Sequence, residues 1–209
     1  GTAAEQLLAR LLENWARTGA GQGVDAAAGL APLASIRPYG GLFSYQQAML
    51  LDYSGHQTEA LAAYDVASQG GLWLPPGVAR HADLLQRTGS RDRSIALLSG
   101  ESAAGNPALT ALRVQIEAGQ PALIERLTPA RGAAVAAFGL SAIYRQEHDS
   151  ASSLAALTLA LLLDPDFDGA RLTMAQQQAE LGHTGIARRV LGEIDADSPF
   201  SASARTLDA

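Results

Sequence analysis

The chain has 209 residues, 47% hydrophobic and 17% charged, with a formal net charge of −6. That apolar content excludes a disordered tail, and the negative balance argues against general affinity for nucleic acid or anionic lipid. Cysteine is absent and all 15 basic residues are arginine, which removes thiolate metal sites, thiol nucleophiles, Schiff-base chemistry and the phosphate-loop lysine.

Amphipathic runs over 3–18, 42–54 and 78–88 predict helices, each followed by a glycine: Gly21, Gly55 and Gly89, spaced 34 residues apart. Small residues keep the same interval. Asn14, Ala48 and Ala82 fall in the runs before the glycines, and Ala26, Ala60 and Ser94 in the runs after. Gly119 marks a degenerate unit with shorter helices expected over 108–118 and 121–127. The period then returns in a shifted frame, with 34 residues separating His148 from Gly182, Ser153 from Ala187, Leu157 from Leu191 and Pro165 from Pro199.

These intervals predict helix–turn–helix units near 7–40, 41–74, 75–104, 105–133, 134–167 and 168–201, with 202–209 starting a further helix. Small side chains let neighbouring helix axes approach closely. Glycine after a helix takes the left-handed conformation that closes it, and proline starts the next unit. No alternating strand pattern competes. The reading is an all-α chain forming a single array over 1–209, cut from a longer protein.

The pattern resembles the tetratricopeptide repeat. Ala48, Leu51, Gly55, Ala60, Tyr64 and Ala67 match one unit; Leu140, Ser141, Tyr144, Ser153, Leu157, Ala160 and Pro165 match another; Ala175, Gly182, Ala187, Leu191 and Pro199 match a third. The resemblance implies a right-handed α-solenoid whose first helices line a concave groove. That groove would present Tyr45, Met49, Asp52 and Tyr53, then Asp83, Gln86 and Arg87, then Arg113, then Arg145 and Gln146, then Gln176. It further implies a non-enzymatic scaffold or adaptor binding a peptide or protein segment. Self-association and service as the regulatory arm of a larger complex are the alternatives. The phrase Leu163-Asp164-Pro165-Asp166-Phe167 before a Gln- and Ala-rich helix resembles longer exported bacterial repeat proteins, some of them lipoproteins. It implies a periplasmic or exported setting, with the cytoplasm as alternative.

Other motifs have plainer readings. Asp164, Asp166 and Asp168 copy the start of a calcium loop, but its bidentate twelfth position is Ala175. His56, His81, His148 and His183 lack metal-ligand spacing, and His56 and His183 occupy equivalent places after a turn glycine. No catalytic residue, cofactor or metal is expected, nor nucleic acid, nor membrane insertion by this segment. The lysine–asparagine clamp for a peptide carboxylate is excluded by composition.

Overall fold

The structure, a computed structural model, describes residues 3–208 apart from Leu123, with the side chains of all of these except residues 3–5 and Ser102. The described residues are helical or irregular, with no strand. The chain is all-α and built of helical hairpins, the class its periodicity predicts. It packs as two compact units, Gly1–Ala136 and Ala137–Ala209.

The first unit opens with α1 (Ala3–Gly19) and α2 (Gly23–Leu30), followed by a 3₁₀ turn over Ala31–Ser35. The hairpins α3 (Gly40–Tyr53) with α4 (Gln57–Gln69), and α5 (Pro75–Arg87) with α6 (Arg91–Leu98), come next. A single turn, α7 (Glu101–Ala104), leads into α8 (Pro107–Glu117). The unit boundary falls inside α9 (Pro129–Gln146). The second unit continues with α10 (Ser150–Leu163), α11 (Asp168–Glu180), α12 (Thr184–Leu191) and α13 (Ser201–Asp208).

One backbone device recurs, closing α1, α3, α5, α8, α9 and α11. Gly21, Gly55, Gly89, Gly119, His148 and Gly182 all lie in the left-handed region, with φ between 61° at His148 and 86° at Gly21. The next residue donates its N–H to a carbonyl five positions back: Gln22 to Arg17, His56 to Leu51, Ser90 to Leu85, Gln120 to Gln115, Asp149 to Tyr144 and His183 to Gln178, at 2.7–3.0 Å. This is the Schellman closure, which satisfies carbonyls that the helix end leaves open. His148 performs it without glycine, at the steric cost a left-handed side chain carries. His56 and His183 sit at the N-caps of α4 and α12.

The small residues lie where helices touch. Ala26, Ala48, Ala60, Ala82, Ala175, Ser94 and Ser153 are fully buried, and Asn14, Ser141 and Ala187 nearly so. Two serines stand where the resembled pattern has alanine. Ser94 Oγ donates to the Ala82 carbonyl at 2.8 Å, and Ser153 Oγ to the Ser141 carbonyl at 2.9 Å. Each hydroxyl thus bonds across its hairpin, twelve residues back, to the small residue of the facing helix. Ser153 also accepts from Gln177 Nε2 on α11 at 3.0 Å.

Large side chains fill the remainder of the first core. Tyr64 and His81 stack face to face, 5.0 Å apart and 7° from parallel. Trp15 is 1% exposed, donates its indole N–H to Gln46 Oε1 at 2.6 Å, and packs against Gly132. A Cβ at Gly132 would fall 2.2 Å from the indole ring. In the second unit, Leu172, Ala175, Ala187, Leu191 and Ala204 form a cluster, with Ile194 and Phe200 against it.

The degenerate region departs from expectation. Residues 108–117 are helical within α8, but the helix expected over 121–127 is absent from the described residues there. Pro121 disfavours helical backbone at Gln120. The Thr128 hydroxyl accepts the Arg131 N–H at 3.2 Å and Pro129 opens α9, so helix begins only after the segment ends.

Candidate functional site

Four side chains along α5 share one face: Arg80, Asp83, Gln86 and Arg87 recur at helical three- and four-residue steps. Asp52 and Tyr53 from the last turn of α3 lie beside them. Together with Ala122, Ile124, Arg126 and Leu127, all but Gln86 of these line an open cleft of about 380 Å³ in the first unit.

Charge is organised around Arg87. Its Nε donates to Asp83 Oδ2 at 2.8 Å and its NH2 to both Asp52 oxygens at 3.0 and 3.1 Å. The guanidinium therefore ties α3 to α5. The Asp52 side chain is only 7% exposed, and burial raises its pKa against the opposing pull of Arg87. Burial works against the Arg87 charge, but the bonds to Asp83 and Asp52 outweigh it and the net shift is upward. Arg80 is shifted down, chiefly by burial. Tyr53 is 41% exposed at the rim, with its ring edge-on to Trp15 at 6.3 Å.

The non-helical segment after α8 runs along this face of α5. Gln86 Nε2 donates to the Gln120 carbonyl at 2.7 Å, and Gln86 Oε1 accepts the Ala122 N–H at 2.9 Å. One side-chain amide thus answers both a carbonyl and an N–H of a non-helical chain, two residues apart, as a neighbouring strand would. Six residues earlier on α5, Arg80 donates to the Glu125 carbonyl. The contacts run from Arg80 to Gln86 along α5 and from Glu125 back to Gln120 along the segment, so the two run in opposite directions.

Of the expected groove residues, Asp52, Tyr53, Asp83, Gln86 and Arg87 come together at this cleft. Tyr45 and Met49 do not line it, and their expected place on an open groove is corrected: they are 2% and 0% exposed. Tyr45 packs its ring on Gly77, where a Cβ would fall 2.5 Å away, and burial pushes its hydroxyl pKa up. The α3 helix is enclosed almost all round, so a position on its inner face need not meet solvent. Arg113 lies on α8, paired with Glu117 at 2.6 Å. Arg145, Gln146 and Gln176 belong to the second unit, the first two exposed at the end of α9 and the third half-buried on α11.

Sequence reasoning missed Arg80 and the segment residues Ala122, Ile124, Arg126 and Leu127. Arg80 was detectable as the residue one helical step before Asp83. The segment was concealed by its helix-like composition, although Thr128-Pro129 marks where the next helix begins. Among the described residues, no group of three or more His, Asp or Glu is placed to hold a metal. Asp168 of the calcium-like phrase is instead paired with Arg171 at 3.0 Å. No described helix is long and apolar enough to cross a membrane.

Fold and cleft define an all-α helical-hairpin protein carrying a polar cleft in its first unit. No protein-family model and no curated protein matches the chain. Among solved structures it is similar to a MamA RS-1 ArsTM double mutant, at 14% identity and a TM-score of 0.41, covering 99% of this chain and 96% of that one. It is also similar to MamA 41-end from Desulfovibrio magneticus RS-1, at 15% identity and a TM-score of 0.39, covering 100% and 99%. Likenesses of this order assign neither family nor function.

Proposed function

We propose that the chain is a protein-interaction scaffold and that the cleft between α3 and α5 holds an extended segment of a partner protein. The observation that carries this reading is the two-sided pairing of Gln86 with a main-chain carbonyl and N–H. A surface that satisfies both backbone groups of an extended chain has the chemistry of peptide recognition. Arg80 supplies a second main-chain contact, and the Asp52–Arg87–Asp83 cluster fixes the floor on which side chains would be read. Tyr53 offers a half-exposed aromatic anchor at the rim. Arg145, Gln146 and Gln176 remain proposed contacts of the second unit, and the array over 1–209 remains the proposed organisation of the chain.

The test is capture of protein partners from lysate by the immobilised full chain, compared with a Tyr53→Ala variant. Tyr53 reaches the cleft without holding α3 to α5. Recovery of the main partners should fall about tenfold, the loss expected for roughly 1.4 kcal/mol of rim contact, with the far-ultraviolet circular dichroism unchanged. An identical partner profile would overturn the assignment of the cleft.

A further inference from the structure

We propose that the described residues of 120–128 are a resident competitor for the cleft: an internal strap occupying the place of the partner peptide, which an incoming extended segment displaces. This rests on the reading of the cleft as a peptide site.

Three observations carry it. First, the hydrogen bonds from α5 to the strap go to its main chain, while the Glu125 carboxylate pairs with Arg131 of α9 at 2.7 Å. Gln86 takes the carbonyl of Gln120 and the N–H of Ala122, and Arg80 takes the carbonyl of Glu125. Contacts of that kind ask little of the occupant's sequence, so another extended chain satisfies them equally. Second, the strap fills part of the cleft with Ile124 and Leu127, while Asp52, Tyr53 and Asp83 still line open volume beside it. The site is therefore partly covered and partly exposed, which lets an incoming chain gain a foothold before the strap leaves. Third, both ends of the strap are fastened independently of the cleft. Arg91 donates to the carbonyls of Ile116 and Glu117 at the end of α8, at 3.0 and 2.8 Å, and Thr128 caps α9. Release of the middle need not unravel either helix.

The displacing ligand is then an extended peptide with apolar side chains, read through its backbone. A strap tethered at both ends competes at an effective concentration of the order of millimolar, so a free peptide at micromolar concentration meets a nearly closed site. Loosening the strap should open it.

The experiment uses the full chain and a fluorescent peptide with the sequence of residues 120–128, followed by anisotropy. The strap variant Ala122→Pro/Ile124→Ser removes the N–H that Gln86 accepts and one apolar contact, and leaves α3 and α5 untouched. We expect it to bind the peptide at least tenfold more tightly than the unaltered chain. Adding Gln86→Ala to it should abolish that gain. Amide hydrogen exchange supplies a measurement free of folding artefacts: in the otherwise unaltered chain, Gln86→Ala should speed exchange at Ala122 while α3 and α5 keep their protection.

Equal peptide affinity for the unaltered chain and the strap variant would overturn the strap, and the peptide cleft would survive. If neither binds the peptide although exchange shows the strap released, the strap is again overturned. In that case lysate capture sensitive to Tyr53→Ala would still uphold the cleft. Loss of both results would remove both readings.

Discussion

At the scale of single residues, two positions show how much depends on one carbon atom. His148 holds φ at 61°, a conformation that five equivalent turns assign to glycine, and its turn nevertheless makes the same 2.9 Å closure from Asp149 to Tyr144. Gly132 is the opposite case. Its missing side chain is the space in which the indole of Trp15 lies. Trp15 is buried, bonded to Gln46 and edge-on to Tyr53, so it has no empty direction in which to retreat. Gly132→Ala should therefore destabilise the first unit by about 1–3 kcal/mol, the usual cost of overpacking. This outweighs the few tenths to 1 kcal/mol that alanine ordinarily gains in a helix. Urea denaturation measures the difference, and a neutral or stabilised variant would contradict the packing described.

At the scale of elements, the hairpin is joined by its turn at one end and by small residues along its length. Ser94 and Ser153 make equivalent bonds across their hairpins, but only Ser153 also serves Gln177. Gln177 is 4% exposed and its Oε1 already lacks a partner. Ser94→Ala removes a donor from a carbonyl that its own helix serves, and should cost about 1 kcal/mol or less. Ser153→Ala also strands a buried amide N–H, and should cost about 1–3 kcal/mol. The ranking is the prediction; equal midpoints in parallel denaturant titrations would refute it.

The same elements show what could be read from sequence. The glycine period fixed the turns, and the small residues identified the hairpin interfaces, because both are local backbone and volume requirements that recur. The cleft was half visible: Asp52, Asp83, Gln86 and Arg87 lie on predictable helix faces. Tyr45 and Met49 were misplaced because periodicity gives the face of a helix but not what a third element lays over it. The strap was unreadable for a related reason. Its described residues have ordinary helix propensity, and their non-helical course is met by side chains of α5, thirty-four to forty-five residues away in the chain. Tertiary pairing of this sort overrides propensity.

At the scale of the whole molecule, acid should act unevenly. His81 is stacked on Tyr64 with both ring nitrogens buried and without hydrogen bonds, and its pKa is lowered from 6.5 to about 4. Burial dominates; Asp65 on α4, 3.6 Å away, favours the proton and Arg93 on α6 opposes it. The unfolded chain therefore binds the proton first. The stability this neutral histidine carries is complete above about pH 6.5 and is lost as pH falls toward about 4, to an extent on the order of 3 kcal/mol. Asp52 works the other way in the carboxylate range, since its folded pKa is raised. Comparing the unaltered chain with His81→Phe cancels that contribution: the variant should show a flatter dependence of urea midpoint between about pH 7 and pH 5. Hydrogen exchange near pH 5 should show α3 to α6 losing protection before α11 and α12, as expected where stability is not uniform along a repeat protein. Simultaneous loss everywhere would refute the placing of the acid-sensitive group.

The recurring left-handed closure has a consequence for how such a chain can change over time. Each joint is sealed by peptide groups alone, which every amino acid except proline supplies in full. Substitution elsewhere in a hairpin leaves the joint intact, and His148 shows that even its most demanding position can change identity and still close. Heritable variation can therefore rewrite most side chains while the spacing of the hairpins persists, leaving architecture as the slowest-fading trace of ancestry.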